Sequence, residues 1–151
     1  MGQSLSQLYV HLTFSTKDRK PYIQEIWEFK LYACISNVFK KYNSQILTIN
    51  SVSDHVHILF SLSKDCALST LVNEIKNESA RWIRSMGDTN KDFAWQEGYG
   101  AFSVSHSQVD LVTRSIQNQK KDHNNKSYKE EVDEIMEQLG IVEYDSVYFW
   151  N

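Results

Sequence analysis

The stretch Asp54–Phe60 alternates polar and apolar residues with the period of a β-strand. Its two histidines, His55 and His57, therefore project from one face of the strand, and Val56 and Ile58 project from the other. The apolar face predicts a strand that is anchored in a hydrophobic core. The two imidazoles are a ready pair of metal ligands, or they only find hydrogen-bond partners on a half-buried strand. Two ligands alone do not decide between these alternatives.

Length and composition indicate one domain that spans residues 1–151 and has one substantial core, because 41% of the residues are hydrophobic and 13% are aromatic. No apolar run approaches the ~20 residues that cross a bilayer, so we expect no membrane association. The N-terminus lacks the basic and apolar regions of a secretory signal, and Cys34 and Cys66 suggest no disulfide scaffold. These features predict a cytoplasmic protein.

The formal net charge of −3 argues against non-specific binding to duplex DNA, which needs a dense basic surface. A local basic groove is still compatible with this charge. Basic residues concentrate between Lys76 and Arg84, whereas the segment 130–151 is acidic and contains no Lys or Arg. The acidity is therefore in part a property of the C-terminal segment.

Hydrophobic periodicity predicts six elements in the first two thirds of the chain. In order they are a strand at 8–15, a helix at about 24–42, a hairpin of strands at 45–52 and 55–62, a helix at 68–86 and a strand at 101–105. This β-α-β-β-α-β order predicts an α+β fold of the ferredoxin-like type, with a four-stranded antiparallel sheet and two helices on one face. The first and third strands are central neighbours in that topology, so His11, His55 and His57 share the open face.

Two further helices are predicted after the sheet core of residues 1–105, within 106–140. The third helix runs to about residue 121, and the fourth covers 128–139. Ser115 and Gln119 are four residues apart on the third helix and therefore share one face, which can turn toward the histidine pair. The tail 141–151 is rich in aromatic residues, and we expect it to dock on the body or on a partner subunit.

These residues together carry a resemblance to a known family. The run Asp54–His57 resembles the HUH motif (His, hydrophobic residue, His), and the segments 95–105 and 115–119 resemble the remainder of the family. The chain is similar over nearly its whole length to the TnpA-like single-tyrosine HUH transposases of insertion sequences and their REP-associated relatives. The resemblance implies a homodimer that cleaves and rejoins single-stranded DNA at hairpin-bearing ends.

The resemblance also assigns roles to individual residues. His55, His57 and Gln119 carry over as ligands of one divalent ion, Mg²⁺ or Mn²⁺, that polarises the scissile phosphate. The family's nucleophile is a tyrosine that forms a covalent phosphotyrosine, and this chain has Ser115 at that position. Serine is about four to five ångströms shorter in reach than tyrosine, and its hydroxyl is a weaker acid than a phenol of pKa ~10.

The serine leaves three alternatives. The chain is a natural relative that binds DNA without cleaving it, or an engineered knockout of an active enzyme, or an enzyme in which another tyrosine attacks. Tyr128, beyond the third helix, and Tyr99, before the fourth strand, are the candidates for such a substitute. A rival from a different class is a non-catalytic protein that binds DNA hairpins and ignores the metal. A third possibility is an interaction domain whose histidines only form hydrogen bonds within the core.

Residues for DNA contact are predicted on two segments. The second helix carries a polar stripe that can meet phosphates and base edges of a hairpin stem. The turn near the only proline can contact phosphates in the same way. The residues are Asn73, Lys76, Asn77, Arg81 and Arg84 on the helix, and Lys17 and Arg19 in the turn. The alternative for both segments is an ordinary solvated surface.

Overall fold

The computed structural model describes residues 2–123 and 126–140. The strands are β1 (Tyr9–Ser15), β2 (Gln45–Ser51), β3 (His55–Ser61) and β4 (Gly100–Val104). The helices are α1 (Glu28–Lys41), α2 (Leu68–Arg84), α3 (Val109–Gln117), α4 (Gln119–His123) and α5 (Tyr128–Gln138). The order of the first six elements, β1-α1-β2-β3-α2-β4, is the predicted one.

The four strands form one antiparallel sheet in the order β2-β3-β1-β4. The two central strands are β1 and β3, whose register pairs Leu12 with Ile58 and Thr13 with His57. This arrangement confirms the predicted α+β fold with a ferredoxin-like sheet and additional C-terminal helices. The hairpin of β2 and β3 sets His55 at the first position of its strand, directly after the turn.

One face of the sheet packs against α1 and α2 and forms the main core. Leu12, Phe14, Ile58 and Phe60 alternate along the central strands and are fully buried there. The ring centroids of Phe60 and Phe39 of α1 lie 4.9 Å apart in an edge-to-face arrangement. Each buried side chain of this size stabilises the fold by about 1.5–3 kcal/mol, so the apolar alternation of the strands accounts for the position of the two helices.

The opposite face of the sheet carries mainly polar side chains and is nevertheless buried. Thr13 and His55 are completely inaccessible, and His57 is 5% exposed. A small apolar cluster on α5, made of Tyr128, Val132 and Met136, packs on this side with Phe102 of β4. The C-terminal helices therefore cover a polar surface, with far less apolar area than the main core offers.

The predicted third helix is divided into two. Its first part, α3, ends at Gln117, and α4 begins at Gln119 after Asn118, whose φ of −90° and ψ of 5° interrupt the helix. The interruption is stabilised by Asn50 of β2, whose side-chain amide donates to the carbonyl oxygen of Ile116 at 2.9 Å. Ser115 and Gln119 therefore belong to two short helices and not to one continuous face.

The other C-terminal predictions agree with the structure where it describes the chain. Ser127 caps α5 by accepting a hydrogen bond from the amide of Glu130 at 3.2 Å. Gly140 follows the helix with a φ of +70°, a backbone region that favours glycine. The predicted docking tail, 141–151, lies outside the described residues. Among residues 2–123 and 126–140, no helix is long and apolar enough to cross a membrane.

Candidate metal centre

Two histidines and one glutamate meet on the polar face of the sheet. The Nε2 atoms of His55 and His57 lie 2.8 and 3.0 Å from the same carboxylate oxygen, Oε2 of Glu131. The strand β3 presents the two imidazoles, and α5 brings the glutamate across the sheet toward them. Ligand atoms of the three residues all lie within 4.8 Å of one another, so this group can hold a metal ion.

The protonation of the three groups follows from their contacts. Burial alone would raise the pKa of Glu131, but hydrogen bonds and charge from His55 and His57 outweigh it and lower that pKa to about 2. Burial alone would lower the pKa of His55, but hydrogen bonds and negative charge from Asp54 and Glu131 raise it. The pKa of His57 is lowered, first by burial. These contacts therefore favour the carboxylate form of Glu131 and the protonated form of His55, whereas burial favours the neutral form of His57.

A further side chain contacts the second ring nitrogen, Nδ1, of each imidazole. The Nδ1 atom of His55 lies 2.6 Å from Oδ1 of Asp54, and the Nδ1 atom of His57 lies 2.8 Å from Nε2 of His11. Burial, and next the repulsion that a protonated His57 would exert, lower the pKa of His11 to about 3, so His11 is a neutral partner. Such contacts fix the orientation of an imidazole and leave its other nitrogen for a metal. They agree with the predicted position of His11 on the same face of the sheet as His55 and His57.

Gln119 contributes a buried side chain without a partner. It is 4% exposed, and neither its amide oxygen nor its amide nitrogen has a hydrogen-bond partner among the described residues. A buried amide without partners costs free energy, which a ligand for its oxygen would recover. Gln119 lines the same cavity as His57 and Glu131. Imidazole nitrogens with carboxylate and amide oxygens are a suitable donor set for a divalent cation, so these residues fit a metal.

The cavity beside the centre has a volume of about 710 Å³ and lies between β4, α3 and α5. Ser115 lines it together with His57, Gln119 and Glu131, and the Ser115 side chain is exposed. The position that the family resemblance assigns to the nucleophile thus lines the same cavity as two of the predicted ligands, His57 and Gln119. A short hydroxyl at this position leaves space that a larger side chain would occupy.

Tyr128, the predicted substitute nucleophile, is a packed residue. It is 1% exposed, and its ring lies against the His55 ring with centroids 4.3 Å apart. Its hydroxyl lies within hydrogen-bond distance, 3.2 Å, of the Thr13 hydroxyl, which also donates to the carbonyl oxygen of Val56. Burial raises the pKa of Tyr128. A phenol in this position is held as a neutral group, which disfavours it as an attacking anion.

Two of the predicted DNA-contacting residues are engaged within the protein. The ammonium of Lys76 donates to the carbonyl oxygens of Gln96, Glu97 and Gly98 at 2.8, 3.2 and 2.7 Å. Burial lowers its pKa to about 8. Arg84 donates through Nε to the carbonyl oxygen of Phe93 at 3.0 Å. Both side chains therefore hold the loop that precedes β4.

The remaining predicted contacts lie on the surface. Arg81 pairs with Glu78 at 3.2 Å on the exposed side of α2, and Asn73 and Asn77 are exposed on the same helix. Lys17 and Arg19 are exposed in the short 3₁₀ turn after β1. The assignment of these residues to DNA stays a prediction.

Glu131 was absent from the candidates predicted from sequence. Its only signal is its spacing from Tyr128, three residues earlier, which places both side chains on one face of a helix. Glutamates are abundant in this segment, at 130, 131, 134 and 137. The pattern alone therefore did not distinguish the glutamate that turns inward.

Comparisons with known proteins point in one direction. A family model described as an IS200-like transposase matches residues 4–119. A crystal structure of a candidate transposase from Deinococcus radiodurans R1 is 20% identical, with a TM-score of 0.62, and the match covers 79% of this chain and 96% of that one. A REP-associated tyrosine transposase bound to a REP hairpin is 16% identical, also with a TM-score of 0.62, over 82% of this chain and 74% of that one. No curated protein sequence matches the chain significantly.

Proposed function

The chain belongs to the IS200-like transposase family, and from that premise we propose that it binds single-stranded DNA with a hairpin and holds a phosphate of that DNA at a divalent-metal centre. The observation that carries the proposal is the convergence of His55, His57 and Glu131. The buried Gln119 amide, which has no hydrogen-bond partner among the described residues, lines the same cavity as His57 and Glu131. The similarity in fold to a transposase bound to a REP hairpin supports the choice of DNA.

We propose that His55, His57, Glu131 and Gln119 hold Mg²⁺ or Mn²⁺. Nitrogen and oxygen donors together suit Mn²⁺, and the oxygen donors also suit Mg²⁺. When bound, such an ion stabilises the negative charge of a transferring phosphoryl group. Asp54 and His11 orient the two imidazoles, and α5 limits the access of water to the side of the centre that it covers.

The second part of the proposal is that the chain lacks the ability to form a covalent link to DNA. Ser115 stands where the family resemblance expects the tyrosine, and its hydroxyl is short and weakly acidic. Tyr128 is buried against His55 with its hydroxyl at Thr13, so it is poorly placed to replace that tyrosine. The protein then recognises element ends without cutting them.

A second candidate is a DNA-hairpin-binding protein that no longer uses a metal. The two candidates differ in one property, because only the first requires Mn²⁺ or Mg²⁺ to bind at the His55–His57 pair. The presence of a buried donor set favours the first.

As the family resemblance implies, we expect a homodimer, which light scattering at micromolar concentration checks.

The test is a covalent-adduct gel with labelled single-stranded hairpin DNA from the flanks of the chain's own gene, in the presence of Mn²⁺. The unaltered chain is compared with Ser115→Tyr and with Ser115→Phe, which places a ring at the same position but has no hydroxyl. A further variant combines Ser115→Tyr with His57→Ala. We expect an adduct only with Ser115→Tyr, because that variant alone has both a phenol and an intact metal centre.

Other outcomes reject separate parts of the proposal. An adduct with the unaltered chain shows that another residue attacks, and Tyr128→Phe then tests the phenol that packs against His55. An adduct that survives His57→Ala rejects the metal centre. If Ser115→Tyr binds the DNA and Mn²⁺ but forms no adduct, the loss of cleavage has a cause other than Ser115. DNA binding without any affinity for Mn²⁺ favours the second candidate.

A further inference from the structure

A polar node joins the α3–α4 junction to the edge strand β2. The ammonium of Lys120 donates to Oδ1 of Asn50 at 2.7 Å and to the carbonyl oxygen of Ser51 at 2.9 Å, and it pairs with Glu28 of α1 at 3.1 Å. The other end of the Asn50 side chain donates to the carbonyl oxygens of Ile116 and Gln117, at the end of α3. Four elements therefore meet at two side chains.

The node is adjacent to two of the proposed ligands, one in sequence and one in space. Lys120 follows Gln119 directly in the chain. Asn50 is the residue of β2 that pairs with His57 in the register of β2 and β3. The contact between Lys120 and Asn50 thus links the segment that carries Gln119 to the strand position opposite His57.

The node is well built, which distinguishes it from a surface ion pair. The Glu28 side chain is 10% exposed and that of Lys120 is 37% exposed. The Tyr32 hydroxyl adds a hydrogen bond to Ser51 Oγ at 2.8 Å, and burial raises the pKa of Tyr32 to about 12. Asn50 uses both the oxygen and the nitrogen of its side-chain amide in hydrogen bonds. These bonds fix the orientation of the side chain relative to the end of α3.

We propose that Lys120 and Asn50 are positioning residues for the metal centre, which set the place of Gln119 relative to His57 by fixing the break between α3 and α4. The inference rests on the proposed function, because it takes Gln119 to be a metal ligand. Neither residue touches the cation in this proposal. Their effect passes through the backbone, since a helix that continued through Asn118 would carry Gln119 to a different point on its circumference.

The experiment measures Mn²⁺ affinity by the electron paramagnetic resonance signal of free Mn²⁺, with thermal unfolding of the metal-free protein in parallel. Lys120→Met removes the ammonium and keeps much of the side-chain volume. We expect it to weaken Mn²⁺ binding about tenfold, the lower end of what the loss of a supporting contact costs a metal site. Lys120→Arg retains a donor and a positive charge, and we expect it to restore most of the affinity.

Two further variants separate positioning from folding. Lys41→Met is the matched control, because Lys41 also pairs with a glutamate of another helix, Glu74 at 3.1 Å, and lies away from the centre. We expect it to leave the Mn²⁺ affinity unchanged. Glu28→Gln combined with Lys120→Met avoids leaving a buried carboxylate unpaired, so that a folded protein remains available for the measurement.

The decisive comparison adds Lys120→Met to Gln119→Ala. If Lys120 acts through Gln119, the added substitution weakens Mn²⁺ binding by less than about twofold in that background, because effects that share one route are not additive. Equal tenfold losses with and without Gln119 overturn the inference and leave the metal centre standing. So does an unchanged affinity in Lys120→Met. If the unaltered chain binds no Mn²⁺, the proposed metal centre fails, and the inference fails with it.

Discussion

The two faces of the sheet differ in what holds their covering helices. The inner face, toward α1 and α2, is filled by aliphatic and aromatic side chains such as Leu12, Ile58 and Phe60, all fully buried. The outer face, toward α3, α4 and α5, is buried as well but presents His55, His57 and Thr13. Hydrophobic burial dominates the first layer, whereas hydrogen bonds, charge and a three-residue apolar cluster hold α5 in the second.

This difference separates stability from function in the molecule. Burial of apolar surface is the dominant favourable term in folding, so the inner layer determines whether the chain folds. The outer layer contributes a smaller part of the total stability, and its polar contacts need specific partners. The candidate centre therefore lies in the layer that contributes less to the stability of the fold.

The largest expected effect comes from the inner layer. Phe60→Ala removes a fully buried ring and is expected to lower the free energy of unfolding by about 3–5 kcal/mol. Urea denaturation followed by circular dichroism measures this loss. The reason is the lost burial of the ring together with the cavity left against Phe39.

A matched pair of substitutions compares the layers directly. Val72 of α2 and Val132 of α5 are both fully buried and both face the sheet core of their layer. Val72→Ala is expected to lower global stability by about 2 kcal/mol. Val132→Ala is expected to lower it less and instead to speed hydrogen exchange within α5, because a weakly docked helix opens locally. Equal losses of global stability would contradict the proposed separation of the layers.

An intermediate effect is expected for Glu131→Gln in metal-free protein at acid pH. The pKa of Glu131 is lowered in the fold, from an ordinary 4.5 to about 2, so the folded protein resists its protonation. The stability that this group contributes is present above pH ~4.5 and is lost as the pH falls toward 2. Glu131→Gln removes hydrogen bonds to a charged group worth about 1.5–3 kcal/mol, and we expect a shallower loss of stability over that range.

Urea denaturation at pH 7, 4.5 and 3 in the presence of a chelator measures this dependence. Glu130→Gln is the control, because Glu130 is the preceding residue and its side chain is exposed on the same helix. We expect Glu130→Gln to follow the unaltered protein. An acid limb that is identical in all three proteins would show that Glu131 is not held by the imidazoles in solution.

The smallest effect is expected for Tyr128→Phe. The substitution keeps the ring that packs on His55 and removes the hydroxyl near Thr13, so the free energy of unfolding should fall by about 0.5–1.5 kcal/mol. Adduct formation by Ser115→Tyr should be unchanged in this background. A loss of the adduct there would assign Tyr128 a part in the chemistry that its packing does not suggest.

Most of the fold could be predicted because the residues of the inner layer form a regular hydrophobic pattern in the sequence. The alternation in the central strands and the spacing in α1 and α2 arise from one apolar surface that every element shares. The pairing of His55 with His57 followed from the same alternation. Gln119 was predicted from its spacing and the family resemblance, and it lines the same cavity as His57 although the helix is broken.

The rest depended on contacts between distant segments that leave no periodic signal. The end of α3 is set by Asn50, a residue more than sixty positions earlier in the chain. Lys76 looked like a member of a solvated basic stripe, but it folds back onto three carbonyl oxygens of the loop before β4. Glu131 reaches His55 and His57 only because α5 docks on the outer face of the sheet. Each case is decided by a tertiary contact that propensity and spacing do not encode.

The exposure of Ser115 has a consequence for the history of such a chain. Substitutions at exposed positions usually change the free energy of unfolding by no more than about 0.5 kcal/mol, and the cavity beside Ser115 has room for a larger side chain. Serine and tyrosine codons can differ by a single base. An exchange between serine and tyrosine at position 115 is thus expected to be nearly neutral for folding and to need a single mutational step, so a chain of this fold can gain or lose a phenol at the cavity while every other residue stays the same.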